Sequence, residues 1–146
     1  MNRVWTFSVD SDMADFEELW RGGIADFGDP QAAWAIQQHP GYVKYIQAVR
    51  TAVKYEYGER FVMYRAMAKD EFDNMQNAPW SQSMAFTFSL KLAKAWQNLA
   101  AHQNTEPLVV VLLVARLKDI CMRGSAAESE LVLHAFDLDW TTAKVM

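Results

Sequence analysis

Eight consecutive apolar residues, Leu108–Ala115 (LVVVLLVA), place the tightest constraint on how this chain can fold. The run is rich in β-branched side chains, and it is far too short to span a bilayer, which takes about 20 apolar residues. Such a run is typical of a β-strand that is covered on both faces. We therefore predict a strand here, buried from both sides by other elements.

Most of the chain after residue 59 has strand-like patterns. Further segments rich in apolar and aromatic residues are predicted strands: Arg60–Met67, Ser83–Phe88, Glu128–His134 and part of Phe136–Val145. Ser89 is a good N-cap for an intervening helix. The predicted buried face of that helix consists of Leu92, Ala95, Trp96 and Leu99.

The first 58 residues have helical patterns instead. Acidic caps at 10–12 begin one helix, Asp29-Pro30 begins a second, and Tyr42–Tyr57 forms a third that Gly58 ends. The predicted class is therefore α+β, since helices come first and strands with one helix between them follow. We expect one domain over 1–146, with a mainly helical portion at 1–58 and a β-rich portion at 59–146.

Composition narrows the functional class. The chain has 146 residues, of which 51% are hydrophobic and 22% charged, and this balance excludes intrinsic disorder. The formal net charge is −4 and no basic stripe is present, which argues against tight nonspecific binding to nucleic acid. The single cysteine, Cys121, cannot form an internal disulfide, and the histidines lack metal-ligand spacing. We expect a cytoplasmic protein, in its own cell or a host cell, with no metal and no membrane segment.

Polar side chains interrupt three of the predicted strands. Arg65 lies within the first, Thr87 and Ser89 close the second, and Glu128 and Glu130 open a later one. A charge buried alone costs several kcal/mol, so such residues are paired or face a cleft. If they converge, a guanidinium can hold phosphate or ribose, and a carboxylate can stabilise a developing oxocarbenium cation. This chemistry is what cleavage of the N-glycosidic bond of NAD requires.

In this order the three segments resemble the ADP-ribosyltransferase family, in its arginine–serine–glutamate class. Residues 62–66 (VMYRA) are similar to the family's aromatic-Arg-Gly strand, and residues 87–89 (TFS) to its Ser-Thr-Ser strand end. Residues 128–130 (ESE) resemble its Glu-x-Glu pair, which opens a strand after a flexible turn. The resemblance covers residues 61–133, about half the chain, and implies a two-layer β core with an NAD cleft.

The resemblance also implies roles for individual residues. Arg65 would hold the nicotinamide-side ribose and phosphate, and Thr87 would orient the catalytic acid. Glu130 would be that acid, and Glu128 would activate the acceptor, with arginine favoured. The remaining expected contacts with NAD are the Ala66 backbone (where the family usually has glycine), Phe88, Ser89 and Trp96, which would wall the nicotinamide pocket.

The implied activity is mono-ADP-ribosylation of a protein side chain by a bacterial or phage toxin or effector. NAD glycohydrolysis at the same site and a catalytically inactive binding protein of the same fold are the alternatives. A nucleic-acid acceptor is a further one, which the lack of a basic patch disfavours.

Each of these residues also has a structural interpretation. Arg65 would then pair with a nearby acid such as Asp70 or Glu71, and Ser89 would simply cap its helix. Trp96 would belong to the core. The two glutamates would form a solvated strand start.

Overall fold

A computed structural model describes residues 3–21, 36–77, 83–103 and 106–146. The α-helices in these ranges are α1 (Ser11–Leu19), α2 (Tyr42–Tyr57), α3 (Lys69–Asn77) and α4 (Leu90–His102). The strands are β1 (Arg60–Ala68), β2 (Ser83–Thr87), β3 (Leu108–Arg116), β4 (Ile120–Arg123), β5 (Glu130–His134) and β6 (Lys144–Val145). Short 3₁₀ helices cover Leu117–Asp119 and Trp140–Thr142. The α+β class is confirmed, whereas the helix predicted to start at Asp29-Pro30 lies outside the described residues.

Local signals explain where the helices begin and end. The Asp10 carboxylate accepts a hydrogen bond from the Met13 N–H at 2.9 Å and so caps α1. The Ser89 hydroxyl caps α4 in the same way, accepting from the Leu92 N–H at 3.1 Å. Gly58 has a φ of +93°, a conformation that favours glycine and ends α2. Among the described residues, no helix has the length and apolarity needed to span a membrane.

The six strands form one antiparallel sheet in the order β4-β5-β2-β1-β3-β6. One face packs against α1, α2 and α3, and the main apolar core lies between them. This core includes Met63, Val111, Leu113 and Leu131, all fully buried. Since residues of both the helical and the β-rich portions line it, the two portions share one core.

Helix α4 covers part of the opposite face, over β1 and β3. Its predicted buried face is wrong: Ala93 and Ala100 are buried, whereas Trp96 is half-buried and Leu99 is 52% exposed. Small alanine side chains let the helix axis approach the sheet closely, and the larger residues lie at the flanks. The Leu108–Ala115 prediction is confirmed as a strand, but its cover is complete only on the core face.

Helix α2 covers the β4 edge of the sheet and satisfies its backbone. Arg50 Nη2 donates to the carbonyls of Lys118 and Ile120 at 3.4 and 3.5 Å. The Tyr45 hydroxyl accepts from the Arg123 N–H at 3.1 Å. An edge strand with unpaired backbone groups invites association with other chains, and these side chains occupy such groups. The sequence did not predict β4, because a four-residue segment carries too little pattern.

The last predicted strand is much shorter than expected. Within Phe136–Val145, only Lys144–Val145 forms a strand, and it pairs with β3. Before this strand, the Thr142 hydroxyl accepts a hydrogen bond from the Val114 N–H at 3.1 Å. A side chain thus takes the place of a backbone partner for β3.

A buried polar cluster joins α1, α2, β4 and the N-terminal turn. Arg123 donates from Nε and Nη2 to the two carboxylate oxygens of Glu17, at 2.8 and 3.3 Å. The Tyr45 hydroxyl donates to Glu17 at 2.6 Å. Arg123 also donates to the Val4 carbonyl at 3.4 Å and lies 4.2 Å from the centre of the Phe7 ring. Both charged side chains are nearly buried, so each depends on the other for its solvation.

We expect Glu17→Gln to lower the free energy of unfolding by about 3 kcal/mol or more, because it leaves the Arg123 charge buried without its partner. Urea unfolding measures this. The matched control is Glu18→Gln on an exposed neighbour, which should change stability by less than about 0.5 kcal/mol. Equal effects of the two variants would contradict the prediction.

The same pair sets an acid limit on stability. Burial acts to raise the pKa of Glu17, and hydrogen bonds from Arg123 and Tyr45 more than offset it, so the pKa lies below its ordinary value of 4.5. A carboxyl whose pKa is lowered in the folded state contributes stability that is fully present above its ordinary pKa. This contribution is lost as the pH falls through the folded-state pKa. Acid unfolding below pH 4.5 should therefore be less steep in Glu17→Gln than in the wild-type chain.

Candidate active site

The Glu128–Glu130 segment is a turn that leads into β5. The predicted strand start at Glu128 is wrong, because β5 begins at Glu130 and residues 126–129 form a turn closed by the Ser129 N–H bond to the Ala126 carbonyl at 3.1 Å. Ser129 has a φ of +47°, in the left-handed region that few non-glycine residues adopt. The two glutamates therefore do not alternate along one strand, and the turn sets their relative position.

The end of β2 holds this turn. The Thr87 hydroxyl donates to the Glu128 carbonyl at 2.6 Å, and the Phe88 N–H donates to the Ser129 carbonyl at 3.0 Å. Thr87 is fully buried and lies directly opposite Glu130 in the β2–β5 ladder. The structure thus brings Thr87, Glu128 and Glu130 together, with the threonine supporting the backbone that carries both acids.

The Glu130 side chain packs directly against the backbone of Gly124. A Cβ atom at position 124 would lie 2.6 Å from Glu130 Cγ and 2.8 Å from Cδ, closer than side-chain contacts allow. Glu130 Oε1 accepts from the Ser125 N–H at 3.3 Å, and the Glu130 carbonyl accepts from the Gly124 N–H at 2.9 Å. The residue is therefore held at both its backbone and its carboxyl end.

The environment raises the pKa of the Glu130 carboxyl above its ordinary value of 4.5. Burial is the largest cause, and a hydrogen bond and the charge of the neighbouring Glu128 carboxyl act in the same direction. The Ser125 N–H and, more weakly, the charge of Arg65 act against it. A carboxyl whose pKa is raised by burial and by a neighbouring carboxyl is a frequent feature of acid–base and glycosyl-transfer sites.

Glu130 lies on the wall of a cleft of about 690 Å³. This volume is within the range of small-molecule sites, about 300–1,000 Å³. The lining combines two indoles, two arginines, two acids, three small loop residues and two apolar strand residues. These are Trp5, Glu17, Trp20, Arg21, Met122, Arg123, Gly124, Ser125, Ala126, Glu130 and Val132. The cleft can therefore offer aromatic contact, positive charge and a carboxylate to one ligand.

Arg65 does not line this cleft. β1 and β2 pair at Tyr64 and Thr87, and since Thr87 also pairs with Glu130, these three side chains share one face of the sheet. The Arg65 side chain leaves from the other face. Its Nη1 donates to the Ala85 carbonyl at 2.9 Å, and Nη2 lies 3.5 Å from Glu71 Oε1.

The direction of the Ala85 carbonyl explains this position of Arg65. The bond from the Phe88 N–H to the Ser129 carbonyl makes the Ala85 carbonyl point toward β1 instead of β5. Arg65 supplies the donor for that carbonyl. The pairing with Glu71 agrees with the structural interpretation of Arg65. The hydrogen bonds of the guanidinium go to Ala85 and Glu71 and not to the Glu130 carboxyl, on which the Arg65 charge acts only weakly.

The other predicted NAD contacts are Ala66 in β1, Phe88 and Ser89 just after β2, and Trp96 in α4. Phe88 stacks on Tyr57 with ring centres 3.8 Å apart. Ser89 caps α4, as its structural interpretation states. Ala66 lies opposite Val110 in the β1–β3 ladder. None of the residues at 66, 88, 89 and 96 lines the described cleft.

Sequence reasoning missed most of the residues that line the cleft with Glu130. The acidic N-terminal stretch reads as a solvated helix face, yet Glu17 is buried on Arg123. Trp5 donates from its indole N–H to the Glu130 carbonyl at 3.0 Å, across 125 positions of sequence. Only Gly124 carried a usable signal, as a glycine shortly before the Glu-x-Glu pair.

Among the described residues, no cluster of three or more histidine, cysteine, aspartate or glutamate side chains is arranged to hold a metal ion. Comparisons of the chain with protein-family models, curated proteins and solved structures gave no match.

Gly124 and Glu130 should show strong energetic coupling. We expect Gly124→Ala to destabilise the chain by about 1–3 kcal/mol, because the new methyl group overlaps the Glu130 side chain. The backbone of Gly124 is not in the left-handed region, so the penalty should disappear in a Glu130→Ala background. Urea unfolding of the four chains in this double-mutant cycle measures the coupling. Additive effects would show that the two residues do not meet.

Proposed function

We propose that this protein is a mono-ADP-ribosyltransferase that moves ADP-ribose from NAD to a protein side chain. The observation that carries the proposal is the half-buried Glu130 carboxyl. It is supported on Gly124, has a raised pKa beside Glu128, and lines a cleft of ligand size. This arrangement fits the role that the family resemblance implies for Glu130.

The transfer needs one bond to break and one to form at the anomeric carbon of the nicotinamide-side ribose. The glycosidic electron pair leaves with the nicotinamide nitrogen, which is cationic in NAD and departs neutral. The ionised Glu130 carboxylate stabilises the positive charge that develops on the ribose. A nucleophile of the acceptor attacks the opposite face of that carbon, and Glu128 takes its proton.

The cleft also has a cation suited to the diphosphate of NAD. Glu17 pairs with Arg123 at 2.8 Å and with Arg21 at 3.6 Å, so one carboxylate faces two guanidiniums and one positive charge is in excess. Arg21 is half exposed, whereas Arg123 is committed to Glu17. A guanidinium binds phosphate oxygens through paired N–H groups. We propose that Arg21 serves the anion-binding role that the resemblance implied for Arg65.

A second candidate, a binding protein of similar architecture without turnover, is favoured by the position of Arg65. Its guanidinium is bonded to the Ala85 carbonyl and paired with Glu71, so its hydrogen bonds are not directed to Glu130. A protein that only binds would need no cation at the reacting ribose.

Nicotinamide release separates the candidates. The purified chain is incubated with NAD, alone and with a cell lysate, and nicotinamide and ADP-ribosylated proteins are measured by chromatography and mass spectrometry. Modified protein supports the transferase, and nicotinamide release without an acceptor indicates glycohydrolysis. No release under either condition would contradict the proposal and support the binding protein.

Glu130→Gln should lower NAD cleavage by about 100-fold or more, because it removes the charge that stabilises the transition state. The fold should not be weakened. A carboxyl whose pKa is raised in the folded state contributes stability when it is protonated, and this contribution is lost as the pH rises through that pKa. The neutral glutamine therefore does not lower the free energy of unfolding at pH 7. Glu59→Gln, on an exposed side chain, is the control for both turnover and thermal unfolding.

The acid limb of the pH–rate profile should lie above pH 4.5, since only ionised Glu130 is active and its pKa is raised. Glu128→Gln should move this limb to lower pH, because it removes the neighbouring carboxyl that raises the pKa. The profile is measured from initial rates of NAD cleavage. An unmoved limb in Glu128→Gln would show that the two carboxyls do not interact.

A further inference from the structure

The N-terminal turn, residues 3–7, is attached to the elements that surround Glu130. The Arg3 N–H donates to Glu56 on α2 at 3.1 Å, and the Arg3 guanidinium lies 4.0 Å above the Tyr55 ring. Val4 is fully buried, and its carbonyl accepts from Arg123 on β4 at 3.4 Å. The N–H bond of Arg3 and the burial and carbonyl bond of Val4 hold the backbone immediately before Trp5 in place.

Trp5 makes the contact with the candidate active site itself. Its indole N–H donates to the Glu130 carbonyl at 3.0 Å, and this carbonyl also accepts the Gly124 N–H at 2.9 Å. The indole ring packs edge-on against Phe88 with ring centres 6.1 Å apart. Two donors on one carbonyl fix both its position and its orientation.

The hydrogen bond from Trp5 is made at the start of β5, next to an unfavourable backbone conformation. Glu130 is the first residue of β5, and it follows Ser129, whose left-handed backbone is unfavourable for a non-glycine residue. The Trp5 hydrogen bond is made from outside the turn, from a segment that the α2 and β4 contacts hold. It therefore resists rotation of Glu130 about the strained link to Ser129. Trp5 and Glu130 both line the cleft.

We propose that Trp5 is a positioning residue for Glu130: its indole N–H holds the start of β5 so that the carboxyl stays in the cleft against Gly124. This inference rests on the proposed function for its catalytic consequence. The positioning itself is a property of the free protein. The two can therefore be tested separately.

Trp5→Phe removes the N–H donor and keeps an aromatic ring against Phe88, and Trp5→Ala removes both. The matched control is Arg3→Ala, which removes the guanidinium contact with Tyr55 but keeps the backbone N–H bond to Glu56 and the contacts of Trp5 and Glu130. The first measurement is amide hydrogen exchange at Gly124 and Glu130, whose N–H groups bond across the turn. Both amides should exchange faster in Trp5→Phe than in Arg3→Ala or the wild-type chain.

The second measurement separates kcat from KM in the cleavage of NAD. A misplaced carboxylate should lower kcat by about tenfold or more in Trp5→Phe, with KM within about threefold of the wild-type value. Arg3→Ala should leave both values within about twofold, because surface changes away from the site have small effects.

The outcomes are distinct. If the wild-type chain does not cleave NAD, the proposed function fails and amide exchange alone decides the role of Trp5. Wild-type exchange at Gly124 and Glu130 in Trp5→Phe would overturn the positioning role. If the wild-type chain is active, an unchanged kcat in Trp5→Phe would also overturn it. Trp5→Phe decides each case even if Trp5→Ala does not fold.

Discussion

The structure depends on one buried ion pair, between Glu17 of α1 and Arg123 at the end of β4. Its burial is tolerable only because each charge completes the solvation of the other, and the Tyr45 hydroxyl and the Val4 carbonyl occupy further hydrogen-bonding positions. Four separate parts of the chain must therefore be in place together. This cluster sets where α1, α2 and the N-terminal turn lie relative to the β4 edge of the sheet, and so it forms one side of the cleft.

The candidate active site is built on the other side of that cleft by hydrogen bonds to backbone carbonyls. Thr87 donates to the Glu128 carbonyl, and Gly124 and Trp5 both donate to the Glu130 carbonyl. The carboxyl they position has a raised pKa, and ionising it at neutral pH costs the fold some stability. A destabilising carboxyl that several contacts hold in place is typical of a functional site, where a residue serves chemistry and not stability.

Much of the local structure was predictable, because it depends on neighbouring residues. Ser89 caps its helix through a bond to Leu92, and Gly58 ends α2, both on signals within a few positions. The buried face of α4 was not predictable from its apolar residues, since it is the small Ala93 and Ala100 that approach the sheet. Glu128 lies in a turn because Ser129 adopts a left-handed backbone, which no rule of alternation anticipates.

The sequence by itself determined the α+β class and the strands and helices with clear periodicity. It also marked Thr87 and the two glutamates as polar residues in apolar strands, and the structure pairs their segments. Only the tertiary structure decided which cations line the cleft with Glu130. Tyr64 is the β1 residue opposite Thr87, and Arg65 follows it. Because side chains alternate along a strand, the Arg65 side chain lies on the other face of the sheet, where it bonds to Ala85 and Glu71. Arg21, Arg123 and Trp5 reach the cleft from distant positions because helix packing and the sheet edge bring them there, and a one-dimensional pattern does not encode that proximity.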